Sequence, residues 1–139
     1  MQINHPSNWN IQPYSHIDMY DDIIAKGYNS TVYCYTRGLD FDNFYNPTKS
    51  ISDWLEYYQH TTNPKPGDLL VFRPNEIVND LEYPLIAGVN GTALIVEDIN
   101  ENEMLVSQPS PFNYNILEYQ TIPVSEISKY HFITNERIL

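Results

Sequence analysis

Pro64-Lys65-Pro66-Gly67-Asp68-Leu69-Leu70-Val71-Phe72 is the stretch on which the fold of this chain turns. Two prolines of fixed φ and a permissive glycine make a turn, and the four apolar residues behind it read as a buried strand. Working outward, Gly91-Thr92-Ala93-Leu94-Ile95-Val96-Glu97-Asp98 is a second strand, Asn100-Glu101-Asn102 a turn, and Met104-Leu105-Val106-Ser107-Gln108 a third strand. The last two make a β-hairpin, so the three segments predict a small antiparallel sheet. Between the first two lies Arg73 to Gly91, with Pro74, Asn75, Pro84 and Gly88. That interval is long for a hairpin connection, and such connections tend to be functional or mobile.

Upstream, Met1 to His16 is polar and without period; it reads as an irregular arm with Trp9 and Ile11 as anchors. Asp18 caps a short amphipathic helix that runs to Lys26 and is stopped by Gly27. Ser30 or Thr31 caps a second helix, expected to start near Cys34 and to end by Gly38. Ser50-Ile51-Ser52-Asp53 is a capping box with Asp in the usual Glu place. Behind it Ile51, Trp54, Leu55 and Tyr58 share one face, which predicts a helix to about His60 packed on the sheet. Downstream, Pro109-Ser110-Pro111 breaks the third strand and Ile116 to Ile122 alternates as a fourth. Pro123 to Ser128 bends, and Tyr130 to Ile133 reads as the last strand. Helices followed by a run of strands define an α+β chain, read as one domain over residues 1–139.

The succession Pro-x-Pro-Gly-Asp, apolar strand, Gly-x-Ala-Leu-Ile-Val resembles the CHAP family of cysteine amidases and endopeptidases that cut peptidoglycan, within the wider NlpC/P60 group. The resemblance covers roughly residues 27–133 and implies a papain-like fold, with N-terminal helices packed on an antiparallel sheet. Family members carry a cysteine at the start of an upstream helix, and the resemblance gives that place to Cys34, where a helix dipole favours the thiolate. The family's general base is a histidine directly after the glycine that opens the second strand; this chain has Thr92. Gln108 takes the place of the group that orients the base. Tyr33 stands where the family commonly has a glutamine that stabilises the oxyanion.

Threonine has no protonation change near neutral pH, and losing one member of such a unit removes nearly all of its catalysis. Two functional readings follow. One is a CHAP-like domain that has lost its base and serves as a binding or structural module in a phage particle or at a cell wall. Its partners would then be peptidoglycan or other virion or wall proteins. The other is a working peptidoglycan amidase or endopeptidase that uses Cys34 with an unconventional partner, His131 being the first suspect. An unrelated α+β domain is the third alternative. No cofactor or metal is implied by any of them.

Composition narrows the field. Eighteen acidic against seven basic residues in 139 give a formal charge of −11, which repels phosphate backbones and anionic membranes and argues against nucleic acid as a partner. The single cysteine excludes an internal disulfide. No apolar run approaches the ~18–20 residues of a membrane span. The N-terminal residues lack the basic and apolar regions of an export signal, so a soluble chain with no such signal of its own is expected, its compartment left open. Asp40-Phe41-Asp42-Asn43 offers oxygen ligands for calcium but lacks the EF-hand spacing and terminal glutamate, and reads as a solvated loop. Among the twelve tyrosines, Tyr33 and Tyr35 lie near the presumed cleft. Stacking on sugar rings and plain packing both suit them.

Overall fold

A computed structural model describes residues 2–3, 6, 8–11, 30–46, 50–78, 85–86, 91–109 and 116–138. The helix expected over Asp18 to Lys26 lies outside them. Two α-helices, α1 (Ser30–Asp40) and α2 (Ile51–Tyr57), precede most of a mixed sheet. The strands are β1 (Gln2–Ile3), β2 (Tyr58–Thr61), β3 (Leu69–Phe72), β4 (Ile77–Val78), β5 (Leu85–Ile86), β6 (Thr92–Ile99), β7 (Glu103–Pro109), β8 (Ile116–Pro123) and β9 (His131–Arg137). The fold is α+β, as the order of helical and strand patterns predicts.

The main sheet runs β1-β8-β7-β6-β3-β9-β2, and β4 and β5 pair separately. From β8 to β2 every neighbour is antiparallel. Only β1 is parallel, laying Gln2 and Ile3 beside Ile116 and Leu117. The N-terminal arm is therefore not wholly irregular: two of its residues extend the sheet. The last strand, β9, is inserted between β2 and β3, pairing Ile133 with both His60 and Leu69.

Three local expectations change. The second predicted helix starts four residues before Cys34 and ends at Asp40 rather than Gly38. The next helix stops at Tyr57, and Tyr58 to Thr61 leave it as an edge strand because β9 offers them a backbone ladder. The long interval after Phe72 holds the β4–β5 pair. The capping box forms as predicted: the Asp53 amide donates to Ser50 Oγ (3.2 Å) and the Ser50 amide donates to Asp53 Oδ2 (3.3 Å).

Alternation along the strands sorts side chains into two layers. The front layer, under the helices, holds Leu69, Val71, Ala93, Ile95, Leu117 and Ile133 with Cys34, Trp54 and Tyr45. The back layer holds Leu70, Phe72, Leu94, Val96, Met104, Val106, Ile122 and Phe132. Both strands at the centre, β3 and β6, are thus buried on two faces, which is why they read as continuous apolar runs. Where α1 ends, the amides of Phe41 and Asn43 both donate to the Gly38 carbonyl. A side chain at Gly38 would collide with the Asn43 carbonyl, so the chain can fold back this tightly only over glycine.

Candidate functional site

The face of α1 that meets the sheet carries the polar groups of interest. Tyr33 and Arg37 are four residues apart and therefore stacked on one side of the helix. Tyr33 Oη lies 2.6 Å from Ser107 Oγ, and Arg37 Nη2 donates to both carboxylate oxygens of Glu97, at 2.7 Å to Oε2. Ser107 pairs with Ile95 across the ladder, so α1 runs parallel to β6, its start over the start of that strand. Ser107 Oγ is also 3.5 Å from Glu97 Oε1, and Arg37 Nη1 donates to Asp40 Oδ2 at 3.1 Å. A chain of polar contacts thus links Asp40, Arg37, Glu97, Ser107 and Tyr33 between helix and sheet.

A β-bulge makes this possible. The ladder pairs Val96 with Val106 but Asp98 with Leu105, so Glu97 is the extra residue. Without that insertion strict alternation continues; with it, the carboxylate is delivered to the helix side while Ile99 returns to the back layer. Both side chains of the ion pair are completely buried. Burial pushes the Glu97 carboxyl above its ordinary range, against the pull of Arg37 and its hydrogen bonds. The Tyr33 hydroxyl is pushed far up for the same reason. The Arg37 guanidinium also sits over the Phe41 ring, 5.0 Å from its centroid.

Cys34 is the fifth residue of α1, past the first turn in which a helix dipole acts on a thiol. The place at the helix start belongs to Ser30. The cysteine has no exposed surface and packs in the front layer among aromatic and aliphatic side chains. Burial pushes its thiol well above the usual cysteine range, and the field of Arg37 lowers it by less.

Thr92 and Gln108 are not brought to Cys34. Thr92 pairs with Phe72, a back-layer residue, and Gln108 follows the back-layer parity of Met104 and Val106 on β7. Both therefore face away from α1, with the sheet between them and the sulfur. The described histidines are engaged elsewhere. His131 Nε2 accepts from Arg73 Nη1 at 2.6 Å, and burial first, then Arg73, lowers its pKa. His60 Nε2 lies 2.7 Å from the Leu55 carbonyl oxygen. His5 and His16 are outside the described residues. Asp40, a candidate calcium ligand, is turned inward to Arg37. Among the described residues no three His, Cys, Asp or Glu side chains are placed to hold a metal ion. No helix among them is long and apolar enough to cross a membrane.

The buried ion pair was absent from the sequence reading, although two signals point to it. Arg37 falls on the same helical stripe as Tyr33, and Glu97 ends an apolar run as the one charge in a strand buried on both faces. Each calls for a partner of opposite sign.

No family model matches the chain, and no curated protein matches it in sequence. Among solved structures it is similar to an N-acetylmuramoyl-L-alanine amidase from Staphylococcus aureus, with a TM-score of 0.55 and 19% identity over 78% of this chain. The match spans 30% of that amidase chain. At this identity the likeness establishes a shared fold.

Proposed function

We propose that this chain is a CHAP-like domain of peptidoglycan-hydrolase ancestry that no longer cleaves, and that it acts as a binding or structural module at a cell wall or in a phage particle. The observation that carries this reading is the burial of Cys34. A cysteine hydrolase needs an accessible thiolate with a base in hydrogen-bond reach. Here the sulfur is sealed in the helix–sheet core with its thiol pKa raised, and the positions that the family pattern assigns to base and orienting group, Thr92 and Gln108, face the other side of the sheet. The amidase fold of the structural neighbour supports the ancestry.

Turbidity loss of purified peptidoglycan, followed for the wild type beside Cys34→Ala, tests it. Neither protein is expected to clear the suspension, while both co-sediment with it if the wall is the partner. Clearing by the wild type, whether or not Cys34→Ala abolishes it, would overturn the non-catalytic reading.

A further inference from the structure

The back layer contains two glutamines whose amides are orphaned. Gln108 on β7 and Gln120 on β8 are 3% and 2% exposed. Gln108 pairs with Glu118, and Gln120 with Val106. The two glutamines are thus diagonal neighbours on one face, with backbones about 7–8 Å apart, within reach of one another's long side chains. Gln108 Nε2 and both Gln120 Nε2 and Oε1 have no hydrogen-bond partner among the described residues. Beside them lies the apolar surface of Leu94, Val96, Val106 and Ile122. Three unpaired buried polar atoms would offset a sizeable part of a small domain's net stability.

The donor and acceptor inventory restricts what can satisfy them. An occupant must accept from two amide nitrogens and donate to one amide oxygen. A metal cation cannot accept and a carboxylate cannot donate. Water does both, and an internal water characteristically takes two to four polar partners. We propose that Gln108 and Gln120 together hold an internal water molecule between β7 and β8 on the back face of the sheet. Gln108 then belongs to a hydration site that ties two strands, a role separate from any catalytic ancestry.

Two measurements test this. In the wild type, water-to-amide NOE spectra of 15N-labelled protein are expected to show long-lived water contacts at the side-chain NH2 of both glutamines. In a urea denaturation cycle, Gln108→Leu and Gln120→Leu are each expected to lower the midpoint, because each leaves the other amide and the water short of partners. The double variant is expected to recover at least half of the summed loss. Absence of long-lived water contacts in the wild type, as when the two amides bond directly to each other, overturns the proposal whatever the variants do. Water contacts accompanied by strictly additive midpoint losses also overturn it, since a shared molecule must couple the two sites.

Discussion

Replacing Arg37 by methionine removes the cation from the most buried polar contact in the described structure. Its side chain and that of Glu97 both have zero exposure, and Asp40, its second partner, is 2% exposed. The methionine keeps most of the aliphatic stem but leaves Glu97 with Ser107 as its remaining polar contact, at 3.5 Å. Breaking a buried pair from one side costs about 3–5 kcal/mol. For 139 residues that corresponds to a fall in Tm of roughly 10–15 °C, at about 3–4 °C per kcal/mol. The loss is expected to depend on pH with a definite sign. Without Arg37, the folded-state pKa of Glu97 lies further above its unfolded value of about 4.3, so the protonated form is the one folding favours. Stability of the variant therefore increases as pH falls through that raised value, and its deficit against the wild type is largest at neutral pH. Arg37→Met/Glu97→Leu is expected to regain at least about 1 kcal/mol over the single variant, because it removes the stranded carboxylate. Urea denaturation followed by circular dichroism at pH 5 and pH 7 measures all three proteins. A cost below about 1 kcal/mol, or a deficit independent of pH, would refute the reasoning.

Cys34 is expected to resist a disulfide reagent at pH 8 in the native protein and to react fully once denatured, its native rate tracking unfolding; prompt reaction in the native state would show an accessible thiol. His131 has a lowered pKa, so as pH falls the unfolded chain takes the proton first. Its contribution to stability is present above about 6.5 and is lost as pH falls through that value toward the folded pKa. His131→Asn is expected to flatten this slope, and a wild-type denaturation midpoint with the same slope as the variant would count against it. Gly91 has φ +76°, and a Cβ there would stand 2.6 Å from the Phe72 carbonyl oxygen. Gly91→Ala is expected to lose about 1–3 kcal/mol in urea denaturation, and a neutral result would mean that the turn into β6 relaxes freely.

Much of the fold was legible because β3, β6 and β7 carry long apolar runs bounded by Pro, Gly and Asn, and because the Ser50 capping box is a local signal. What escaped was non-local. Gln2 and Ile3 become a strand only because the edge of β8 is open to them, and Tyr58 to Thr61 leave a helical pattern for β9, some seventy residues away in sequence. The site was misgrouped for a related reason. Cys34, Thr92 and Gln108 are collected correctly along the chain by their motifs, but the two-residue period of the strands places Thr92 and Gln108 on the face away from α1. The helix start likewise could not be set to one residue from Ser30 and Thr31 as caps, and an error of one turn moved Cys34 from the helix end into the core.

The insertion of β9 between β2 and β3 has a kinetic corollary. β2 and β3 are close in sequence yet make no ladder with each other, and each must await a segment about seventy residues downstream. During synthesis the edges of both strands stand open while the hairpin of β6 and β7 can already close. Topologies of this kind, dominated by distant pairings, fold on the order of milliseconds to seconds. Until β9 arrives, the half-built sheet offers the exposed backbone that a holding chaperone, or a second unfinished chain, would bind.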